Sequence, residues 1–292
     1  MRKIVSLSLF LGLCWCLEGA ALAGAPLTNF EGVGGCALNP FAYVANPVKG
    51  EAGGLLGSRA VSRPQVGVWT AGLTESDIDW WSVGANIAFF NRLELGYSHE
   101  FVDIEGIENV DKDNLSLKVN LVQEGGFGIG LLPAVSAGAI WKHTEFSAAP
   151  ARDVTDVDGY VVATKMFGAL PVPVILNAGL LWTKGYVRGV LGFGDDRDTV
   201  FFGNVETVLP GGFIVGWEYQ QDADVGRVIE GDATRYTTHS IWEAHAAYMP
   251  NPNLTLVASY ADTGDRTYRK TAPLQKRAAF GRAYVLSIQY AF

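Results

Sequence analysis

Apolar and polar residues alternate along most of this chain in segments of about ten residues, separated by glycine, proline, asparagine and aspartate. A period of two puts successive side chains on opposite faces of an extended strand, and about ten residues of tilted strand cross a bilayer. Twelve such segments are found, at residues 65–73, 80–90, 93–103, 114–123, 128–145, 157–167, 172–183, 200–209, 212–222, 240–249, 253–262 and 282–292. The expected fold is therefore all-β: a closed antiparallel up-and-down transmembrane β-barrel of about twelve strands.

The connections support this reading. Tight turns are expected at 91–92, 124–127, 168–171, 210–211 and 250–252, and longer loops near 104–113, 146–156, 184–199, 223–239 and 263–281. Short turns at one rim and long loops at the other are the organisation of single-chain outer-membrane barrels, and an even strand count returns the chain end to the short-turn side. Leu115, Leu117, Val119 and Leu121 alternate with Ser116, Lys118 and Asn120, and Phe213, Val215, Trp217 and Tyr219 alternate with Gly216, Glu218 and Gln220. A strand-built protein in hydrocarbon must close on itself, so the apolar face is assigned to lipid. Trp81, Trp141, Tyr160, Trp182, Trp217, Trp242 and Tyr284 are expected in an upper aromatic belt, and Phe89, Phe213, Tyr248 and Phe292 in a lower one.

Composition narrows the classes. Charged residues make up 18%, below the roughly 25% of soluble domains, and there are 35 glycines in 292 residues. With 22 basic against 30 acidic residues and no basic cluster, no nucleic-acid partner is expected. Arg2 and Lys3 precede an apolar run over 4–17, followed by Ala21-Leu22-Ala23, so residues 1–23 read as a secretory signal peptide. That run of roughly 14 residues is too short to span a bilayer as a helix. Leu13 and Trp15 precede Cys14 and Cys16, where a lipoprotein signal would have small residues. Beyond the cleavage point Cys36 stands without another cysteine, so no internal disulfide is available. The uncharged stretches 125–141 and 167–183 are interrupted by glycine or by proline and asparagine, as strands and turns are and membrane helices are not. The domain reading is a signal peptide over 1–23, a periplasmic or plug segment over 24–64, kept outside the barrel wall because Asn39-Pro40 and Asn46-Pro47 are turn signals, and a barrel over 65–292.

Tyr284, Leu286, Ile288, Tyr290 and Phe292 alternate up to the chain end. This segment resembles the C-terminal strand that the bacterial barrel-insertion machinery recognises, with Tyr290 and Phe292 as the assembly signal. Residues 29–35 (NFEGVGG), 39–43 (NPFAY), 102–106 (VDIEG), 161–165 (VVATK) and 189–199 resemble a proteobacterial family of exported proteins catalogued only as a domain of unknown function. The resemblance implies a barrel in the outer membrane of a Gram-negative bacterium, in contact with outer-membrane lipid, and implies no activity.

Face assignment points Glu94, Glu100, Lys118, Lys142, Lys165, Asn204, Glu206, Glu218, Gln220, Glu243 and His245 into the lumen. Mixed signs admit two readings: a water-filled pore with a transverse field that passes small polar solutes, or charges that pair across a closed structural or surface-interaction barrel. A third, enzymatic reading is a lipid hydrolase at the rim using His99 or His143, against which Ser82, Ser98, Ser116 and Ser136 are assigned to the opposite face. No cofactor is expected. Asp195, Asp196 and Asp198 have oxygen donors at a spacing that could hold calcium, without the rest of an EF-hand; a solvated acidic loop is the alternative.

Overall fold

The computed structural model describes residues 27–50, 53–74, 77–104, 109–146, 154–263 and 280–292. Residues 1–23, Cys14 and Cys16 lie outside the described residues, as do parts of several loops.

Twelve antiparallel strands form one closed barrel. They are β1 (Gln65–Leu73), β2 (Ile78–Phe89), β3 (Leu93–Ile104), β4 (Val110–Val122), β5 (Ala134–Phe146), β6 (Thr155–Phe167), β7 (Val174–Gly185), β8 (Phe193–Leu209), β9 (Phe213–Gln220), β10 (Ile241–Asn251), β11 (Leu254–Asp262) and β12 (Arg282–Ala291). Each pairs with its sequence neighbours, and β12 closes the ring on β1 in continuous register from Ala283↔Leu73 to Ala291↔Gln65. No helix among the described residues is long and apolar enough to cross a membrane.

Several strands outrun their expected bounds. β4 starts at Val110 and β8 at Phe193, so the loops expected at 104–113 and 184–199 are shorter than the sequence pattern indicates. β5 instead starts six residues late, because Gly125, Phe127 and Gly128 take positive φ and build a turn before Ala134. Backbone in the left-handed region favours glycine, which is why this uncharged stretch is not strand throughout.

The outer face is apolar. Val83, Leu95, Leu117, Val161, Leu180, Val205 and Ile288 are exposed on it, and Trp81, Trp141, Trp182, Trp217 and Tyr284 are exposed towards one rim. Phe213 and Tyr248 stack at 4.6 Å, and Tyr290 meets Phe292 edge-on at 4.9 Å, towards the other. Tyr160 corrects the belt assignment. It points inward with Asp158, Val162 and Thr164 and is buried, because its cross-strand partner is Gly138, where a Cβ would lie only 2.3 Å from the Tyr160 ring. The glycine makes room for the ring. Phe202 fills the space beside Gly179 in the same way.

The N-terminal residues enter the barrel. Leu27–Thr28 and Gly34–Gly35 form a small antiparallel pair, and Phe30, Val33, Cys36, Ala37, Phe41, Ala42 and Ala45 are buried inside the ring. Phe30 stacks on Trp69 at 5.3 Å. The segment emerges beside the short turns, where Asn46 Nδ2 donates to the carbonyls of Arg63 and Phe292 and Val48 N to Asn91 Oδ1. Residues 27–50 thus remain outside the wall, with 27–45 occupying its interior and 46–50 leaving at the short-turn rim.

Phe292 N donates to the Pro64 carbonyl at 3.1 Å and its ring lies exposed on the outer face. Deleting Phe292 removes both a contact that holds the closing strand and the terminal aromatic. The expected outcome is a several-fold loss of heat-modifiable barrel in membrane fractions, measured by electrophoretic mobility with and without boiling, while single lumen substitutions cause a smaller loss.

Candidate functional site: the filled lumen

Twelve strands enclose more width than the eight-stranded barrels whose own side chains fill them, and less than the sixteen-stranded porins that keep an aqueous channel. The structure fills the difference with peptide. Among the sequence-assigned lumen residues, Glu94, Glu100, Lys118, Lys142, Glu206, Glu218, Glu243 and His245 project inward and are buried. Lys112, Lys118 and Lys142 are 0%, 1% and 1% exposed, values that exclude a water-lined pore surface at these positions.

Lys165 departs from its inward assignment. It shares the outward parity of Val157, Val161 and Ala163, and its ammonium reaches Glu124 at 2.7 Å and the Gly130 carbonyl at 2.6 Å beside the β4–β5 turn. The apolar run Val161-Val162-Ala163 hides the parity of β6, and a lysine at a strand end can reach the rim from the outer face. Glu124 also accepts from the Tyr43 hydroxyl, and burial followed by this bond pushes that phenol well above its usual range.

Among the described residues three charge clusters occupy the interior. In the first, Glu31 of the inserted segment meets Lys142 at 2.5 Å, Arg188 at 2.5 Å and Lys112 at 3.3 Å. Lys112 also pairs with Glu100 at 2.8 Å and Lys142 with Asp158 at 2.6 Å, so three carboxylates face three cations. Asn114 and the Trp80 indole donate to Glu100 as well. The second cluster is the pair Glu94–Lys118 at 3.0 Å, in which Glu94 accepts from Gly34 N and Ala45 N and Lys118 donates to the Gly34 carbonyl.

The third cluster surrounds His245. Its Nε2 lies 2.7 Å from Glu206 and its Nδ1 2.9 Å from Glu243, with the Cys36 sulfur 3.6 Å from Nε2. Glu218, the third carboxylate, accepts from Ala37 N at 2.7 Å and Asn39 N at 2.9 Å, with Leu38 N at 3.2 Å. Both balanced clusters and this one therefore bind the inserted segment, through its backbone, through Glu31 or through Cys36.

Uncharged groups complete the seam. Ser82 and Ser98 donate to the Phe30 carbonyl, the Trp69 indole to that of Thr28, Asn177 to that of Pro40, and Ser136 and Asn120 to that of Ala42. Beyond the segment, on the side of the longer loops, a cavity of about 80 Å³ is lined by Phe30, Leu38, Trp80, Ile241, Phe280 and Val285.

Four of the residues in the first cluster, Glu31, Lys112, Asp158 and Arg188, fall outside the sequence-assigned set. Lys112 has the parity of Lys118, and extending the alternation of β4 three steps back would have found it. Asp158 was hidden by the inverted face of β6. Glu31 and Arg188 lie on non-barrel segments, and no strand period applies to them.

The other sequence candidates do not assemble. Asp195 pairs with Arg227 at 2.6 Å, Asp196 with Arg235 at 2.7 Å, and Asp198 accepts from Asp224 N at 2.9 Å. Arginines and a backbone amide occupy the oxygens that calcium would need, because β8 continues through 193–198 and spreads these side chains along a strand. His99 is held by Asp113 at 2.8 Å and His143 by Thr155 at 2.7 Å on the outer face, while Ser82, Ser98, Ser116 and Ser136 are buried in the lumen. No serine–histidine pair forms at the rim among the described residues.

Among solved structures the chain is similar to outer-membrane barrels. The KdgM porin aligns at 9% identity and a TM-score of 0.50 over 78% of this chain and 99% of its own. The NanC porin aligns at 12% identity and 0.45 over 78% and 98%, and Omp33 of Acinetobacter baumannii at 11% and 0.44 over 79% and 98%. At such identities the likeness is one of fold alone, a closed antiparallel barrel. No curated protein matches the sequence. A family model described as "Protein of unknown function (DUF3034)" matches residues 24–274, and the chain belongs to that family.

Proposed function

We propose that the protein is an outer-membrane barrel held closed by its own N-terminal segment, and that it is a passive route for small polar solutes once that segment leaves the lumen. The observation that carries this is Glu31, a single carboxylate of the segment gripped by Lys112 and Lys142 of the wall and Arg188 of an inward-folded loop. An apolar outer face supports contact with lipid, and the exposed Tyr290 and Phe292 support recognition by the insertion machinery. A porin-type fold of twelve strands supports a channel, since a lumen of this width would hydrate when emptied.

The second reading is a barrel that stays closed and serves a structural or surface-interaction role. It is favoured by the equal number of carboxylates and cations in the Glu31 cluster, which leaves no uncompensated charge to drive the segment out.

Planar-bilayer recording separates them. The full chain is expected to be silent, and the chain lacking residues 27–50 to conduct; silence of both forms, with the deleted form still heat-modifiable, would leave only the closed barrel. Glu31→Ala deprives Lys112, Lys142 and Arg188 of their shared partner, and breaking a buried ion pair costs about 3–5 kcal/mol. The variant is expected to show intermittent openings and faster proteolysis within 27–50 than the parent. In the deleted form, Lys118→Glu and Lys142→Glu should each move the reversal potential towards cation preference, because lumen charges set selectivity. Lys165→Glu, on the outer face, should leave it unchanged.

A further inference from the structure

The geometry points to a divalent-metal site inside the barrel, built from Cys36 of the inserted segment, Glu206 of β8 and His245 of β10, with Zn²⁺ as the ion it fits. The sulfur, a carboxylate oxygen and a ring nitrogen all lie within 4.8 Å of one another, and all three residues are buried.

Four observations carry the site. First, the donor set mixes thiol, imidazole and carboxylate, the combination that borderline Zn²⁺ accepts in tetrahedral geometry. Second, the donors stand close enough for small side-chain turns to share one ion: bonds of about 2.3 Å to sulfur and about 2.0–2.1 Å to nitrogen at a tetrahedral angle put the two ligands about 3.5 Å apart. Cys36 Sγ lies 3.6 Å from His245 Nε2 and 3.8 Å from its Nδ1, against the ring, so a turn about the Cys36 side chain is needed to bring the sulfur opposite the Nε2 lone pair. Glu206, at 2.7 Å from the same nitrogen, has to open from a hydrogen bond by about 0.6 Å to reach the tetrahedral ligand separation.

Third, the polar groups here are incompletely met. Glu206 Oε1 and Glu243 Oε1 have no hydrogen-bond partner among the described residues, although the two residues are 3% and 1% exposed. A buried carboxylate oxygen without a partner is costly, and a cation bound by Glu206 satisfies the first of them. The charge count agrees. The other lumen clusters balance three against three and one against one, but here Glu206, Glu218 and Glu243 surround one histidine. Neutral imidazole donates from one nitrogen only. With Zn²⁺ on Nε2, the ring keeps a single proton on Nδ1 and donates it to Glu243 at 2.9 Å, the carboxylate–histidine–metal relay that orients zinc ligands.

Fourth, the remaining neighbours fit. Glu218 accepts from the backbone amides of residues 37–39 and so stays with the inserted segment beside the ion. Gly216 faces the cluster without a side chain, where a Cβ would lie 2.2 Å from Glu206 Oε2 and 2.5 Å from His245 Nε2. On binding, the Cys36 thiol releases its proton to solvent and the thiolate and Glu206 neutralise the dication. The ion then ties the inserted segment to two wall strands, whether or not the lumen ever opens.

The test is metal content, which does not depend on conductance. The full chain is refolded in detergent with Zn²⁺, desalted, and analysed by elemental mass spectrometry beside the same protein refolded with chelator. About one Zn²⁺ per heat-modifiable barrel is expected, and Co²⁺ in its place should give a thiolate-to-cobalt band in the near ultraviolet with tetrahedral visible absorption. Cys36→Ser and His245→Gln should lose the ion. Glu243→Gln, which leaves the ligands in place, should weaken binding about 10–100-fold. His143→Gln, on the outer face, should retain it. Should a lumen variant fail to fold, the Co²⁺ spectrum of the parent decides alone. Zn²⁺ content near zero in the folded parent, Co²⁺ without a thiolate band, or full binding by folded Cys36→Ser would each overturn the site.

Discussion

Hydrocarbon offers no hydrogen-bond partner to a peptide group, and an open sheet edge in a bilayer would leave a row of amides and carbonyls unmet. The β12–β1 pairing removes that edge, with nine residue pairs from Ala283↔Leu73 to Ala291↔Gln65. Everything else in the molecule is arranged around this closure. It forces each strand to show one face outward and the other to an enclosed space, and it brings Phe292, at the end of the chain, against Pro64, at the start of the wall.

The enclosed space then sets its own problem. Side chains of a twelve-stranded wall cannot meet across the axis, so polar inward residues must either be hydrated or be covered. This chain covers them with residues 27–50, which carry their own backbone into the lumen and must have it satisfied there. Hence the many side-chain-to-backbone bonds: serines, asparagines, Trp69 and the carboxylates Glu94 and Glu218 take the place of a ladder that the irregular segment cannot form.

Buried charge gives that segment its position. Desolvating six charges is expensive, and their mutual attraction does little more than offset the cost. What the network supplies is specificity. Glu31 is compensated only where Lys112, Lys142 and Arg188 converge, and a shift of the segment by a few ångströms would leave cations facing one another. Around His245 the balance is different, with an acidic excess and orphaned oxygens in place of matched pairs.

Strand number, topology and most faces are local properties, and a period of two exposes them in the sequence. Even within the strands, legibility depended on local contrast: β4 alternates cleanly and its inward lysine is evident, whereas the run Val161-Val162-Ala163 in β6 carries no parity, and Lys165 and Tyr160 exchange their assigned faces for that reason. The sequence also marked residues 24–64 as separate from the wall. That residues 27–50 enter the barrel, that Glu31 and Arg188 meet two lysines there, and that Cys36 lies beside His245 were decided by tertiary structure alone. These partners are separated by up to about two hundred residues in the chain, and no periodicity links an irregular segment to a wall it fills. Only closure of the ring creates the interior in which those distant groups become neighbours.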